Sequence, residues 1–501
     1  MSKLKLGAIL SYISLFVNLS IALLYTPFLL RTLTQQEYGL YTLIGPILAY
    51  FNVFDMGLGN AVVRYVSRNR AIGDKNQEAR INTIFLLLYI LIGIVVATIG
   101  IIMNSYVDRI FGDSFSEKEL SILKGMITLL IMNFAVSFPL AIFSSIMQAY
   151  EKFAYLKTLS IIRYLALPLF TVPGLLLGYG PLFVVTATVV INIVCLSIVS
   201  IYCFKFLQTR FILGKLNFKL TGEITIFSLF IFLNVIVDLI YWNSGQFVLG
   251  SVSSTMAVAI FGVSIQFVKL YMMFSSSISG LFLPRISMMI ANKVSEKDLS
   301  KLMTKIGRLQ FYILGFLLSG FLLYGSSFIK VWAGQEYTEA YILAIIIMIP
   351  LTAPLIQNVG IVILQAKNLH SFRAIVTLLT AFFCILGAYL LSSKYGAIGI
   401  SIALGVTLLI GNTIIMNLYY NIKLKLNMVL FWKNIMKISF IIVVNMIIPT
   451  LLLFSMEESI ISILLQITLF SLSYILMIYF FAFNSFEKGL IRNVINKLPF
   501  M

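Results

Sequence analysis

Asp55, Asp238 and Lys269 are ionisable residues set inside long apolar stretches. Charge in hydrocarbon costs at least ~2.5–3.5 kcal/mol, so such groups normally face a bundle interior or a cavity. Asp55 stands about nine residues from the end of its stretch, roughly 14 Å deep at 1.5 Å per residue. On a continuous helix it shares a face with Asn52 and Gly59. Its carboxyl either bonds backbone and neighbouring polar groups or binds a coupling ion, H+ or Na+. Asp238 and Lys269 each lie about 15 residues from the same side of a helical hairpin, which gives them matching depth. Either they neutralise each other, or Lys269 faces a cavity and attracts an anionic headgroup while Asp238 tunes it or accepts a proton. Arg163 and Arg31 are shallower and can snorkel toward an interface.

Nothing else in the chain has the spacing of reaction chemistry. There is no phosphate-cradling glycine loop and no nucleophile with a partnered base. Cys195, Cys203 and Cys384 lack metal-ligand spacing, and the single histidine, His370, lies in a connector. The expectation is therefore a protein that is not an enzyme, with no cofactor and no metal.

The elements that must position these residues are membrane helices. Hydrophobic residues make up 60% of the chain and charged residues 11%, outside the usual range for a soluble domain. Runs of the length needed to span a bilayer, about 20 residues, fall at 8–30, 39–63, 82–104, 121–147, 157–177, 182–204, 224–250, 256–284, 309–330, 340–364, 374–392, 397–420, 435–454 and 459–482. They are too long and too uniformly apolar for barrel strands. The first follows Lys3 and Lys5 without a small-residue cleavage site and reads as a retained helix.

Connector charge fixes the orientation, because cytoplasmic loops collect Lys and Arg. With the amino end inside, the outer side holds only Arg31, Arg109, Lys118, Lys124, Lys330 and Lys394 of the 36 basic residues, and Lys269 stays in the bilayer. A miscounted span would scramble that partition. Fourteen spans with both termini cytoplasmic follow. The net charge of +18 then meets anionic lipid headgroups, and no nucleic acid is needed to explain it.

A weak repeat divides the chain. IMQAYEKFAYLK (146–157) matches ILQAKNLHSFR (363–373), RIFGDSF (109–115) matches KVWAGQEY (330–337), and LLGYGPL (176–182) matches SSKYGAIG (392–399). The shift carries six spans, so the copies cross in the same sense, as in transporters that rock two bundles about a central site. The expected fold is an all-α polytopic membrane protein: an N-lobe of helices 1–6 (residues 1–222), a C-lobe of helices 7–12 (223–425), and helices 13–14 with a tail (426–501). Prolines inside spans, Pro27 above all, are candidate hinges.

With these residues in view, the chain resembles the Wzx-type polysaccharide flippases of the multidrug/oligosaccharidyl-lipid/polysaccharide exporter superfamily. The resemblance rests on TPFLLRTLTQQEYGLYTL (26–43), FDMGLGNAVVRYVSRNRA (54–71), LPRIS (283–287), VWAGQEY (331–337) and SKYGAIGISIA (393–403). Carried over by position, it points to Arg31, Tyr38, Gly39, Asp55, Gly57 and Arg64. In one place the chain departs from the family, which often has an acidic residue late in span seven where YWNSGQFVLG (241–250) has none. The resemblance implies a flippase for an undecaprenyl-pyrophosphate-linked oligosaccharide repeat unit of O-antigen or capsule type. Its place would be the bacterial inner membrane, among membrane lipid and beside the polysaccharide polymerase and glycosyltransferases of one pathway. Lys269, Arg64 and Arg163 would then meet the pyrophosphate through charge-assisted hydrogen bonds. Trp242, Tyr241 and Tyr271 would stack on sugar rings or simply pack between helices.

Two relatives compete with that reading: an ion-coupled multidrug exporter and a lipid II flippase of the same superfamily. A membrane glycan polymerase would carry a large outer loop with catalytic groups, whereas the outer connectors here are short.

Overall fold

The computed structural model describes residues 3–55, 57–212, 241–279, 294–367, 369–452, 460–485 and 487–489, with Leu239, Ile286 and Met289 singly. Among them every regular element is helical. The chain divides into two compact units, Met1–Gly262 and Val263–Met501.

The first unit holds α1 (Lys3–Thr32), α2 (Gln35–Asn52), α3 (Leu58–Ile72), α4 (Lys75–Ser105), α5 (Val107–Phe111), α6 (Glu117–Ala149), α7 (Phe153–Leu176) and α8 (Pro181–Lys205); residues 241–252 are also helical. Capping boxes open two of these helices. Thr34 and Glu37 start α2, and Ser116 and Glu119 start α6, each satisfying backbone donors that the first helical turn leaves free. The main packing is α4 on α6, α6 on α8, and α1 on α7. Small residues set the spacing: a Cβ at Gly100 would meet the Ile131 side chain at 2.5 Å, and one at Gly93 would meet the Ala135 carbonyl at 3.4 Å. Close backbone approach of this kind holds helices together where lipid offers no hydrophobic drive.

The second unit follows α9 (Thr255–Ser279), within which the division falls. It contains α10 (Glu296–Trp332), α11 (Ala340–Ile356), α12 (Asn358–Ala366), α13 (His370–Thr407), α14 (Met416–Ile422), α15 (Met428–Leu452) and α16 (Ile460–Met477). Two π-helical stretches, Leu408–Ile415 and Ile478–Ala482, follow α13 and α16. The long α13 is two antiparallel helices joined at Gly396, whose φ of 55° lies in the left-handed region that favours glycine.

Among the described residues, ten helices are long and apolar enough to cross a membrane. The fold at Gly396 makes two expected spans of α13, Phe16–Thr32 is a shorter apolar helix within the first expected span, and most of the seventh lies outside the described residues. Large apolar side chains such as Leu91, Ile94, Leu169, Phe382 and Phe440 are more than half exposed. Helices that are apolar on their outer face suit lipid rather than water.

One buried ion pair ties the second unit together. Arg308 Nε donates to Glu487 Oε1 and Nη2 to Glu487 Oε2, each at 2.8 Å, and Nη2 also reaches the Ala482 carbonyl at 2.8 Å. Tyr312 adds its hydroxyl to Glu487 at 3.0 Å, and Asn434 of α15 accepts from Arg308 Nη1 at 3.2 Å. The segment after the last span is thereby fastened to α10. Arg308, one of the basic residues that connector charge assigns to the cytoplasmic side, is only 6% exposed, because a carboxylate far along the chain folds back onto it.

Burial alone would push the Glu487 carboxyl up, but the Arg308 guanidinium and the Asn484 backbone N–H outweigh it and hold the carboxyl below the usual carboxylate range. A carboxyl depressed by folding contributes stability above its unfolded pKa of about 4.3 and loses it as pH falls through the lower folded value. Glu487→Ala should destabilise the second unit by roughly 3–5 kcal/mol, since it leaves a buried cation unpaired. The paired change Arg308→Leu with Glu487→Leu should recover most of that loss in thermal unfolding of the purified protein. The wild type should also show an acid limb below about pH 4 that Glu487→Gln lacks.

Candidate functional site

The second span is not one helix. It stops at Asn52, passes through a 3-10 turn at Val53–Asp55, and restarts at Leu58 after Gly57. Gly57 has φ 71° and, as the residue capping α3, has no side chain with which to accept from the new helix. Asp55 supplies that acceptor. Its carboxylate accepts from the Tyr89 hydroxyl at 2.8 Å and lies beside the backbone N–H groups of Gly57 and Gly59. Ser145 of α6 and the Tyr89 hydroxyl both lie against Gly59, and Tyr89 is wholly buried. A negative charge at a helix N-terminus opposes the free N–H groups and the macrodipole there. The expectation of a continuous helix through 39–63 is thus corrected.

Asp55 also lines a cavity of about 360 Å³ together with Asn52 and Arg163. Three helices build its walls with polar stripes. On α6 the stripe runs Asn133, Ser137, Ser144 and Gln148, with Ala141 between; on α8 it runs Thr188, Asn192 and Cys195; on α7 it is Lys157, Ser160 and Arg163. The last members of each stripe line a second cavity of about 330 Å³, and Arg163 and Leu196 belong to both. Across the first cavity Asn192 Nδ2 donates to Asn133 Oδ1 and to Ser137 Oγ, each at 2.8 Å, joining α8 to α6. Sequence reasoning missed these stripes because it weighed charges and passed over neutral polar residues. Their signal was present, since spacings of three and four place such residues on one helix face.

The remaining predicted residues are scattered. Arg64 is exposed on α3, its guanidinium 6.0 Å from the Tyr65 ring. Arg31 is exposed in the last turn of α1. Trp242 is half-buried against Tyr241 in an edge contact. Tyr241 is buried, and Tyr271 is buried with its hydroxyl bonded to Thr352 at 2.8 Å; neither ring presents a face for stacking on a sugar. Lys269 is an exposed side chain of α9 with no ion pair among the described residues. Asp238 lies outside the described residues. Among the described residues no three His, Cys, Asp or Glu side chains gather as metal ligands.

A family model described as polysaccharide biosynthesis protein matches residues 4–290. No curated protein sequence matches the chain. Among solved structures the chain is similar to the lipid II flippase MurJ in an inward closed conformation, at 15% identity and TM-score 0.75, over 98% of this chain and 99% of that one. It is similar to an inward-facing multidrug resistance MATE family transporter of the MOP superfamily at 14% identity and TM-score 0.63, over 82% of this chain and 98% of that one. A MATE in complex with MaD3S matches at 14% identity and TM-score 0.54, over 84% and 96%. At these identities the likeness carries the fold.

Removing the Tyr89 hydroxyl tests the cap at the break. Tyr89→Phe should cost about 1.5–3 kcal/mol, the range for a hydrogen bond to a charged group, read as a lower unfolding temperature of the purified protein. Asp55→Asn keeps an acceptor for α3 and should cost less than Asp55→Ala. Equal losses for the two would remove the capping role.

Proposed function

The chain belongs to the polysaccharide biosynthesis protein family, and from that premise we propose that it flips an undecaprenyl-pyrophosphate-linked oligosaccharide repeat unit from the cytoplasmic to the outer leaflet of the bacterial plasma membrane. The family match over residues 4–290 carries this reading. The task is physically specific, because a hydrated sugar and a pyrophosphate cannot enter hydrocarbon unshielded. A polar passage shields the head while the lipid tail stays in the bilayer. Alternating access then delivers the cargo, and a gradient of H+ or Na+ or consumption of the product outside gives the net direction.

In this reading both termini are cytoplasmic and the basic connectors face the anionic inner leaflet. Lys269, Arg64 and Arg163 attract the pyrophosphate, Arg31 and Trp242 contribute to cargo contact, and Asp55 or Asp238 answers the coupling ion. The glycosyltransferases that assemble the unit and the polymerase that extends it work on either side of the step. The chain itself forms and breaks no bond.

One observation favours a second reading. The fold match to the lipid II flippase takes in 98% of the chain, including helices 13–14, whereas the MATE matches take in 82–84%. That coverage argues against a drug exporter and keeps a cell-wall precursor in view as cargo.

Deletion separates the three. A repeat-unit flippase predicts a viable strain, provided the upstream pathway is also absent, with surface glycan lost and drug susceptibility unchanged. Lethality regardless of the upstream pathway would point to the cell-wall precursor, and altered drug susceptibility with intact glycan to drug export. Lys269→Ala should abolish export at normal membrane abundance. Normal export by the Asp238→Ala, Lys269→Ala double variant would show that the two are only a structural pair.

A further inference from the structure

The trough within the first unit has features that a merely hydrated crevice does not need. Its two cavities meet at Arg163, and along α6 the stripe from Gln148 to Asn133 covers about 22 Å at 1.5 Å per residue. Each cavity lies in the range of small-molecule sites. Near the α6–α7 turn its charge is positive: Lys157 and Arg163, six residues apart on α7, both line the second cavity. Among the described residues neither makes an ion pair or a hydrogen bond. Two unpaired cations at a partly enclosed site repel a cation and attract an anion. Deeper in, Asn133 Oδ1 accepts from Asn192, and the Asn133 amide N–H and Asn192 carbonyl remain uncommitted among the described residues. That leaves one donor and one acceptor on the bonded pair, which is what a sugar hydroxyl requires.

We propose that this trough, walled mainly by α6, α7 and α8 with Asn52 and Asp55 at one end, is a subsite for a glycosyl phosphate, with phosphoryl oxygens on Lys157 and Arg163 and sugar hydroxyls on Asn133 and Asn192. The inference rests on the flippase reading for its cargo and adds to it a place and an orientation. The phosphate lies toward the α6–α7 turn and the sugar toward the Asp55 break. Arginine supplies a planar fork for phosphate oxygens and lysine a point charge. Neither Asn133 nor Asn192 carries charge, so the sugar end selects by hydrogen bonding.

Cys195 gives the trough a native reporter. It lines the second cavity and is partly exposed, while Cys203 and Cys384 are buried. The full chain, purified into zwitterionic phosphatidylcholine nanodiscs, is treated with an anionic methanethiosulfonate, and the rate of Cys195 modification is followed with and without inorganic pyrophosphate. Pyrophosphate should slow the wild-type reaction at least threefold. That protection should vanish in Lys157→Ala with Arg163→Ala and persist in Arg163→Lys. No protection of the wild type, or equal protection in the double variant, overturns the subsite. If phosphatidylglycerol nanodiscs protect Cys195 by themselves and pyrophosphate adds nothing, the cations serve a bulk lipid headgroup and the proposal fails.

Asn192→Leu should keep the pyrophosphate protection yet lower surface glycan export at least fivefold at normal abundance; unchanged export removes the sugar end. The flippase reading fails separately, if deleting the chain leaves surface glycan intact whatever happens at Cys195. Loss of glycan on deletion, combined with an unprotected Cys195, refutes the subsite alone.

Discussion

Hydrocarbon offers no hydrogen bonds, so each polar group placed in it must find its partner inside the protein. The interior of this chain is organised around that constraint. Asp55 is tolerated because the Tyr89 hydroxyl donates to its carboxylate and the break leaves the backbone N–H groups of Gly57 and Gly59 beside it. The two defects, a free helix end and an isolated charge, satisfy each other. Tyr89 closes the arrangement from α4, and Ser145 of α6 packs against Gly59 beside it.

The same rule explains the contrast between the two units. In the second, the guanidinium of Arg308 is enclosed by Glu487, Tyr312, Asn434 and the Ala482 carbonyl. A cation so fully committed cannot recruit a ligand, and its part is to hold α10, α15 and the segment after the last span as one body. In the first unit, Lys157 and Arg163 line cavities and have no partner among the described residues. Charge satisfied by protein builds structure, and charge left to a cavity is what the proposed subsite draws on. Membership of a polysaccharide biosynthesis family gives that availability a use.

Packing and polarity are divided among the faces of single helices. On α6, Phe134 meets Phe51 edge-on at 5.3 Å while Asn133 and Ser137 turn to the cavity and Ile131 fills the space beside Gly100. One helix therefore carries the close contact with α4, the polar link to α8 and part of the trough. Side chains three and four apart share a face, which is how one sequence can serve three surfaces.

Run length and connector charge determined the membrane class, the helical bundle and the order of spans, because hydropathy adds up residue by residue along the chain. Position alone also marked Asp55 and Arg163 as anomalous. The sequence could not tell that the second span breaks, since that depends on the backbone at Gly57 and on a tyrosine 34 residues from Asp55. Nor could it separate Arg308 from the basic residues around it, because the carboxylate that buries it lies 179 residues away. The stripes on α6, α7 and α8 were legible singly, but only the packed structure turned them toward one another. Burial in a bilayer is a local sum, whereas satisfying a buried polar group takes a partner that folding alone brings near.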